Sequence, residues 1–231
     1  MEQLSAHTPL TVLSRKEYKN LLVIQELVRQ QRVMYVNREH RIEDRIVSIS
    51  QPHVRPIVRG KAKTNVEFGA KIAVSLVDGY ARIEEMRWDS FNEGSLLKAA
   101  IEAYRNRYGC YPEAVLADKL YRNRANLQYC RDLGIRLSGP KLGRPAKGEE
   151  TSSKRIERQD AAERNAIEGK FGEGKRRYGL GLIRARLPET SASVIALQLL
   201  VMNLERRLRV LFAFFFSAFD SPLWRIQTSI L

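Results

Sequence analysis

Residues 67–77 and 80–88 are two runs rich in β-branched and alternating apolar residues, and the only residues between them are Asp78-Gly79. That dipeptide tolerates the positive φ values that a two-residue hairpin turn demands, so the pair predicts a β-hairpin. The pattern then changes. Residues 92–108 carry Leu96, Leu97, Ala100, Ile101 and Tyr104 at helical spacing, with Gly109 as a stop. Pro112 precedes a short apolar run, 114–117, which Asp118 ends. A further helix is expected from about 122 to 132, stopped by Gly134, and one more short strand over 135–137. Strands alternating with helices after a hairpin imply an α/β chain with a mixed sheet flanked by helices.

On the N-terminal side, residues 15–36 repeat Leu21, Ile24, Leu27 and Val28 with polar residues between, which predicts a leading amphipathic helix. This divides the chain into a helical arm, 1–43, and a main domain, 44–231. Residues 45–60 contain Pro52 and Pro56 among β-branched residues and cannot form a regular helix. They are expected to be extended, with Arg45, His53, Arg55, Arg59 and Lys61 exposed. Residues 139–148 are a polar loop punctuated by Gly and Pro, and a long helix is expected over 154–175. The apolar, aromatic stretch 194–219 is interrupted by Glu205, Arg206, Arg207 and Arg209. It lacks the ~18 uncharged residues of a spanning helix and reads as a core helix.

Composition narrows the partner. Forty Lys and Arg against 26 Asp and Glu give a net charge of +14, which favours a polyanion, with nucleic acid first among candidates. A hydrophobic content of 44% over 231 residues is enough for a packed core. Cys110 and Cys130 are too few for a zinc cluster or a disulfide scaffold, and the first nine residues do not read as a secretory signal, so a cytoplasmic protein is expected. Neither a Gly-rich phosphate loop nor a nucleophile elbow occurs, which leaves nucleotide hydrolysis and acyl transfer unsupported.

Two carboxylates stand out. Asp118 closes a short strand, and in open sheets with parallel strands the carboxyl ends of strands are where ligands gather. The structural alternative is that Asp118 caps the turn that follows. Glu168 lies four residues after Arg164 and seven before Lys175, so on a helix the three share one stripe, a carboxylate with a cation on either side. Gly169, Gly172 and Gly174 surround it, each unfavourable by about 1 kcal/mol in a helix interior. Either the helix frays there, or something must approach closely.

The segment Ala117-Asp118-Lys-Leu-Tyr-Arg122, the segment Arg164-Asn-Ala-Ile-Glu168-Gly-Lys-Phe-Gly172, and Lys175 followed by Tyr178-Gly179-Leu180 resemble the catalytic half of bacterial insertion-sequence DDE transposases. Within that family they are similar to the group with a Tyr, Arg, Glu and Lys signature, and residues 44–61 and 138–145 resemble one branch of it. The resemblance implies an RNase H-like fold, a mixed sheet whose first three strands are antiparallel with helices on both faces. It implies three carboxylates holding two divalent cations, Mg2+ or Mn2+, with Asp118 as the second and Glu168 as the third. Arg164 and Lys175 match the signature cations that meet phosphate. The implied activity is cleavage and strand transfer of double-stranded DNA by a homo-oligomer, with no membrane involvement.

The sequence departs from the pattern in two places. The signature tyrosine position is Ala161, and the first aspartate of that branch would lie upstream of anything in this sequence, so the resemblance implies an N-terminally truncated catalytic domain. Asp44 is the acidic residue placed to substitute as a metal ligand. Two readings follow: a transposase, active or inactivated by loss of the first aspartate, or a non-catalytic DNA-binding protein derived from one. Arg55, Arg59 and Lys61 are further candidate phosphate contacts. Arg144, within Gly143-Arg144-Pro145, is a candidate for the minor groove, against the alternative of a basic linker.

Overall fold

The computed structural model describes residues 10–58, 66–139 and 150–219, with the side chains of Val58, 150–154 and 217–219 outside the description. The chain divides into two compact units, the first comprising Met1–Ile72, Met86–Phe91 and Arg184–Ser191, the second Ala73–Glu85, Asn92–Ile183 and Ala192–Leu231.

In the first unit, helix α1 (Arg15–Asn37) starts at a capping box in which the Glu17 amide donates to Ser14 Oγ and the Ser14 amide donates to the Glu17 carboxylate. Its inward face carries buried Gln30 and Met34 with half-buried Leu21, Ile24 and Leu27. Val28, expected on that face, is instead 46% exposed, because the 3.6-residue period turns it away from Leu27 and Met34. The Gln30 amide holds the chain after the helix: the Ile46 amide donates to its oxygen at 2.9 Å, and its nitrogen donates to the Asp44 carbonyl at 3.2 Å.

The Pro-containing segment that follows is irregular until β1 (Pro56–Val58), which pairs antiparallel with β2 (Val66–Phe68) in the register Ile57↔Glu67. The exposure expected of Arg45, His53 and Arg55 is corrected here, since all three are partly buried. His53 packs edge-on against Trp88 at 4.4 Å between ring centroids, and neither ring nitrogen has a partner among the described residues. Burial pushes its pKa down, and the Arg55 and Lys19 charges push the same way.

The hairpin forms as expected from β3 (Lys71–Val77) and β4 (Tyr80–Arg87), with Asp78 at φ 52° and Gly79 at φ 82° in the turn. The first predicted strand is shorter than expected because Gly69, at φ 130°, breaks it and leaves β2 to pair with β1.

In the second unit, a 3-10 turn (Glu93–Ser95) leads into helix α2 (Leu97–Tyr108), which ends at Gly109 in the left-handed region. Strand β5 (Ala114–Val115), a 3-10 turn (Lys119–Tyr121), helix α3 (Arg124–Asp132) and strand β6 (Arg136–Leu137) form a right-sized crossover, and β6 runs parallel to β5 with Ala114↔Arg136 and Val115↔Leu137. The described strands thus pair two by two, in three small sheets rather than one mixed sheet. Leu97, Ile101, Cys130 and Ile135 form the core beneath β5 and β6, ringed by Tyr111, Val115, Tyr121 and Leu137.

Helix α4 (Glu150–Arg177) runs unbroken past the glycines around Glu168. Helix α5 (Pro188–Phe219) supplies Leu199 and Met202 to a second core with Ala81, Val74, Ile83 and Tyr178. Gly174 explains itself there: a β-carbon on it would lie 3.1 Å from Leu180 Cδ2 and 3.2 Å from Met202 Sδ, so at this glycine, of the two alternatives, close approach holds, and packing makes it. The core-helix expectation for 194–219 holds only for the first part of α5. Ile195, Leu199 and Met202 are buried, whereas every residue from 206 to 216 is exposed. No helix among the described residues is long and apolar enough to cross a membrane.

Candidate functional site

Asp118 sits just past the carboxyl end of β5, beside the equivalent end of the parallel strand β6. Three side chains fix the backbone there. Ser138, one residue beyond β6, accepts from the Ala117 amide at 2.9 Å and donates to the Ala117 carbonyl at 3.2 Å. Arg122 Nη1 donates to the carbonyls of Leu137 at 2.9 Å and Ser138 at 2.6 Å. Buried Asn126 donates to the carbonyls of Tyr121 at 2.8 Å and Gly94 at 2.7 Å, joining the loop after Asp118 to the turn before α2. That turn approaches so closely that a β-carbon on Gly94 would lie 2.7 Å from the Leu120 carbonyl oxygen. Tyr121 seals the floor, its hydroxyl pKa pushed up to about 12 by burial and then by the Glu93 and Asp118 charges.

On this rigid base the Asp118 carboxylate is 66% exposed. It accepts from the Lys119 amide at 2.6 Å, so it caps the 3-10 turn that follows, as the structural alternative expected. The cap of α3 is Asn123, which accepts from the Asn126 amide at 2.8 Å. Capping uses one acceptor of a carboxylate and leaves the others open to a further partner.

Helix α4 brings the second half of the site. Arg136 on β6 forms a two-pronged ion pair with Asp160, Nη2 donating to Oδ1 at 3.0 Å, and the Asp160 side chain is buried. The hydrogen bonds that Arg136 donates to Asp160 raise the pKa of its guanidinium. One helical turn further on, Arg164 Nη1 reaches to 4.0 Å from Asp118 Oδ1. Glu168 and Lys175 follow on the same uninterrupted helix, both exposed, so the Arg164, Glu168 and Lys175 stripe begins at the Asp118 carboxylate. Exposed carboxylates beside exposed cations can take up hard cations and phosphate oxygens without first breaking a buried network.

Other candidates fall elsewhere. Asp44 lies in the first unit, in a turn at φ 53°, and accepts from Arg55 Nε at 3.4 Å. The Arg55 guanidinium also donates to the Pro52 carbonyl at 2.6 Å. Arg59, Lys61 and Arg144 lie outside the described residues. Among the described residues, no group of three or more His, Cys, Asp or Glu side chains is gathered as a metal site.

Sequence reasoning missed the positioning residues Gly94, Arg122, Asn126, Arg136, Ser138 and Asp160. The one local signal among them is Asn123-Arg124-Ala125-Asn126, a helix start with a second asparagine where a helical face would otherwise be apolar.

Comparison with known proteins adds a match on this region. Residues 115–205 match the family described as "Transposase DDE domain". No curated protein and no solved structure matches the chain. The matched segment carries Asp118, Arg164, Glu168 and Lys175, and the match supports assignment of this segment to the DDE transposase family.

Proposed function

We propose that this chain is a transposase of the insertion-sequence type, acting on double-stranded DNA through Asp118 and Glu168, with residues 44–231 forming an RNase H-like catalytic domain and 1–43 an arm. The observation that carries the reading is the approach of Arg164 to Asp118 at 4.0 Å, which joins the strand-end carboxylate to the helix stripe within the family-matched segment. Arg164 and Lys175 would neutralise phosphate oxygens and hold a strand in register, and Glu168 would stand between them. The net charge of +14 favours the same polyanion.

DDE transposases generally use divalent cations, and the donors here have the right chemistry, since carboxylate oxygens are the natural ligands of Mg2+ and Mn2+. Asp118 and Glu168 are the residues that would hold such an ion, which when bound would activate the attacking oxygen and stabilise the leaving one. The described side chains do not close a set of three acidic ligands. That incompleteness favours a second reading, a DNA-binding protein that keeps the basic surface without cleavage.

Nicking of supercoiled plasmid by the full chain in Mg2+ or Mn2+ separates the two. Asp118→Asn and Glu168→Gln are expected to lower nicking by about 100-fold or more while DNA affinity stays within about twofold. A wild-type chain that binds DNA tightly and never nicks it supports the binding reading and rejects the catalytic one.

A further inference from the structure

A cavity of about 530 Å³ opens between the first half of α1, the irregular segment 47–50 and the chain just before α5, all within the first unit. Lys16, Lys19 and Arg186 stand around it, and Leu27, Val47 and Ile49 give it an apolar wall. Among the described residues, no acidic side chain lines it. We infer that this cavity binds a small amphipathic anion, a phosphate monoester with an apolar body.

Charge selects the head. The ion pairs of this unit join Arg29 to Glu26 and Arg55 to Asp44, and among the described residues none engages Lys16, Lys19 or Arg186. Glu17, beside Lys16 in the chain, is turned back onto Ser14 in the capping box. Three like charges around one hollow repel one another, and a bound anion turns that repulsion into attraction. Three cations match the two charges of a phosphate monoester better than the single charge of a carboxylate. Asn20 and Ser50, on the same wall, add neutral donors.

The apolar wall selects the body. Along α1 the lysines come first and Leu27 follows about two turns later, roughly 12 Å beyond Lys19 at 1.5 Å per residue. A nucleic-acid backbone would use the cations and leave Leu27, Val47 and Ile49 wet, whereas an amphiphile uses both. The wall is also fixed in advance. Gln51 Nε2 donates to the Ala185 carbonyl at 2.6 Å, tying the 47–50 segment to the chain that carries Arg186. The Ile46 amide, bonded to Gln30 at 2.9 Å, ties the same segment to α1. A largely pre-formed cavity with a few convergent polar groups is the usual build of a small-molecule site. Asp118 and Glu168 lie outside this unit, so the inference does not depend on them.

The test is titration calorimetry of the full chain with butyl, hexyl and octyl phosphate, below their micelle concentrations, beside inorganic phosphate. Each buried methylene is expected to tighten binding by up to about fourfold, so octyl phosphate should bind at least about tenfold more tightly than inorganic phosphate. Lys19→Gln with Arg186→Gln should weaken octyl phosphate by about tenfold or more. Ile49→Asn, at a position 43% exposed, should flatten the dependence on chain length and leave inorganic phosphate unchanged. Far-ultraviolet circular dichroism controls for folding. An affinity that does not rise with chain length overturns the proposal. So does octyl phosphate binding that survives the cavity substitutions but is lost in Leu204→Lys with Leu211→Lys, which would assign it to the exposed face of α5. A fall of about tenfold in duplex DNA affinity in Lys19→Gln with Arg186→Gln, with octyl phosphate bound no better than inorganic phosphate, would overturn it by assigning the cations to DNA.

Discussion

Helix α4 carries two acidic sites of opposite character. Near its middle, Glu168 is exposed, and among the described residues Asp118, across from Arg164, accepts one backbone hydrogen bond and makes one ion pair at 4.0 Å. Near its end, Glu173 and Glu205 are saturated: Arg209 pairs with both, Arg177 reaches both at 3.4 and 3.2 Å, Lys170 adds to Glu173, and the Tyr178 hydroxyl donates to Glu205. The family-matched segment contains both sites. A carboxylate whose lone pairs are already taken by cations and a phenol is a structural fastener, fixing the ends of α4 and α5. One with lone pairs to spare can exchange partners. The difference separates candidates for chemistry from acids of equal prominence in the sequence.

The largest effect should come from the fastened end. Met202 is 1% exposed and packs against Gly174, so Met202→Ala should lower stability by about 2–5 kcal/mol in urea unfolding. Asp118→Asn and Glu168→Gln, at exposed positions, should stay within about 0.5 kcal/mol of wild type. Equal losses at the two sites would erase the distinction between them.

A smaller effect sharpens it. Asp160→Ala removes the clamp from Arg136 that sets the depth of α4 against β6. A fully buried pair loses about 3–5 kcal/mol when one partner goes, and an exposed one about 1 kcal/mol or less. Since the Arg136 side chain is 48% exposed, the expected loss is nearer the lower figure, about 1–2 kcal/mol. Nicking should fall with it, although Asp118 and Glu168 are untouched, because Arg164 would lose its station by Asp118. Unchanged nicking would show that the clamp does not position the site.

The sequence disclosed what local chemistry decides. Asp78-Gly79 announced its hairpin, and the spacing of Leu97, Ile101 and Tyr104 announced α2, because turn dihedrals and helical faces are set by neighbours in the chain. Asp118 and the α4 stripe were legible for the same reason: a strand end and a helical spacing are local facts. Gly69 was not, since a glycine inside a strand pattern does not say whether the strand bends, breaks or changes partner. Nor were Asp160 and Glu205, whose partners Arg136 and Arg177 lie far from them along the chain. The glycines near Glu168 left fraying and close approach open; the helix is continuous, and packing against Met202 places Gly174 in the core, while a β-carbon at Gly169 would meet nothing within 4 Å.

The smallest expected effect concerns acid. The Glu205 carboxyl is held below its ordinary 4.5 by the hydrogen bond from Arg209, against the opposing pull of burial, with the Arg177 charge helping. For Glu173, burial pushes upward most strongly of any single cause, but the Arg209 hydrogen bond and Lys170 together outweigh it, and its carboxyl is also lowered. A carboxylate whose folded pKa lies below its unfolded value stabilises the fold fully above the unfolded value, and that contribution fades as pH falls through the folded one. Urea midpoints should therefore hold steady down to about pH 5 and drop below about 4.5. In Glu205→Gln, the midpoint at about pH 7 should start lower and the drop below 4.5 should be shallower, since one depressed titration is gone. If instead Glu205→Gln leaves the acid limb as steep as wild type, Glu205 is not the fastened acid it is taken for, and the contrast between the two sites fails.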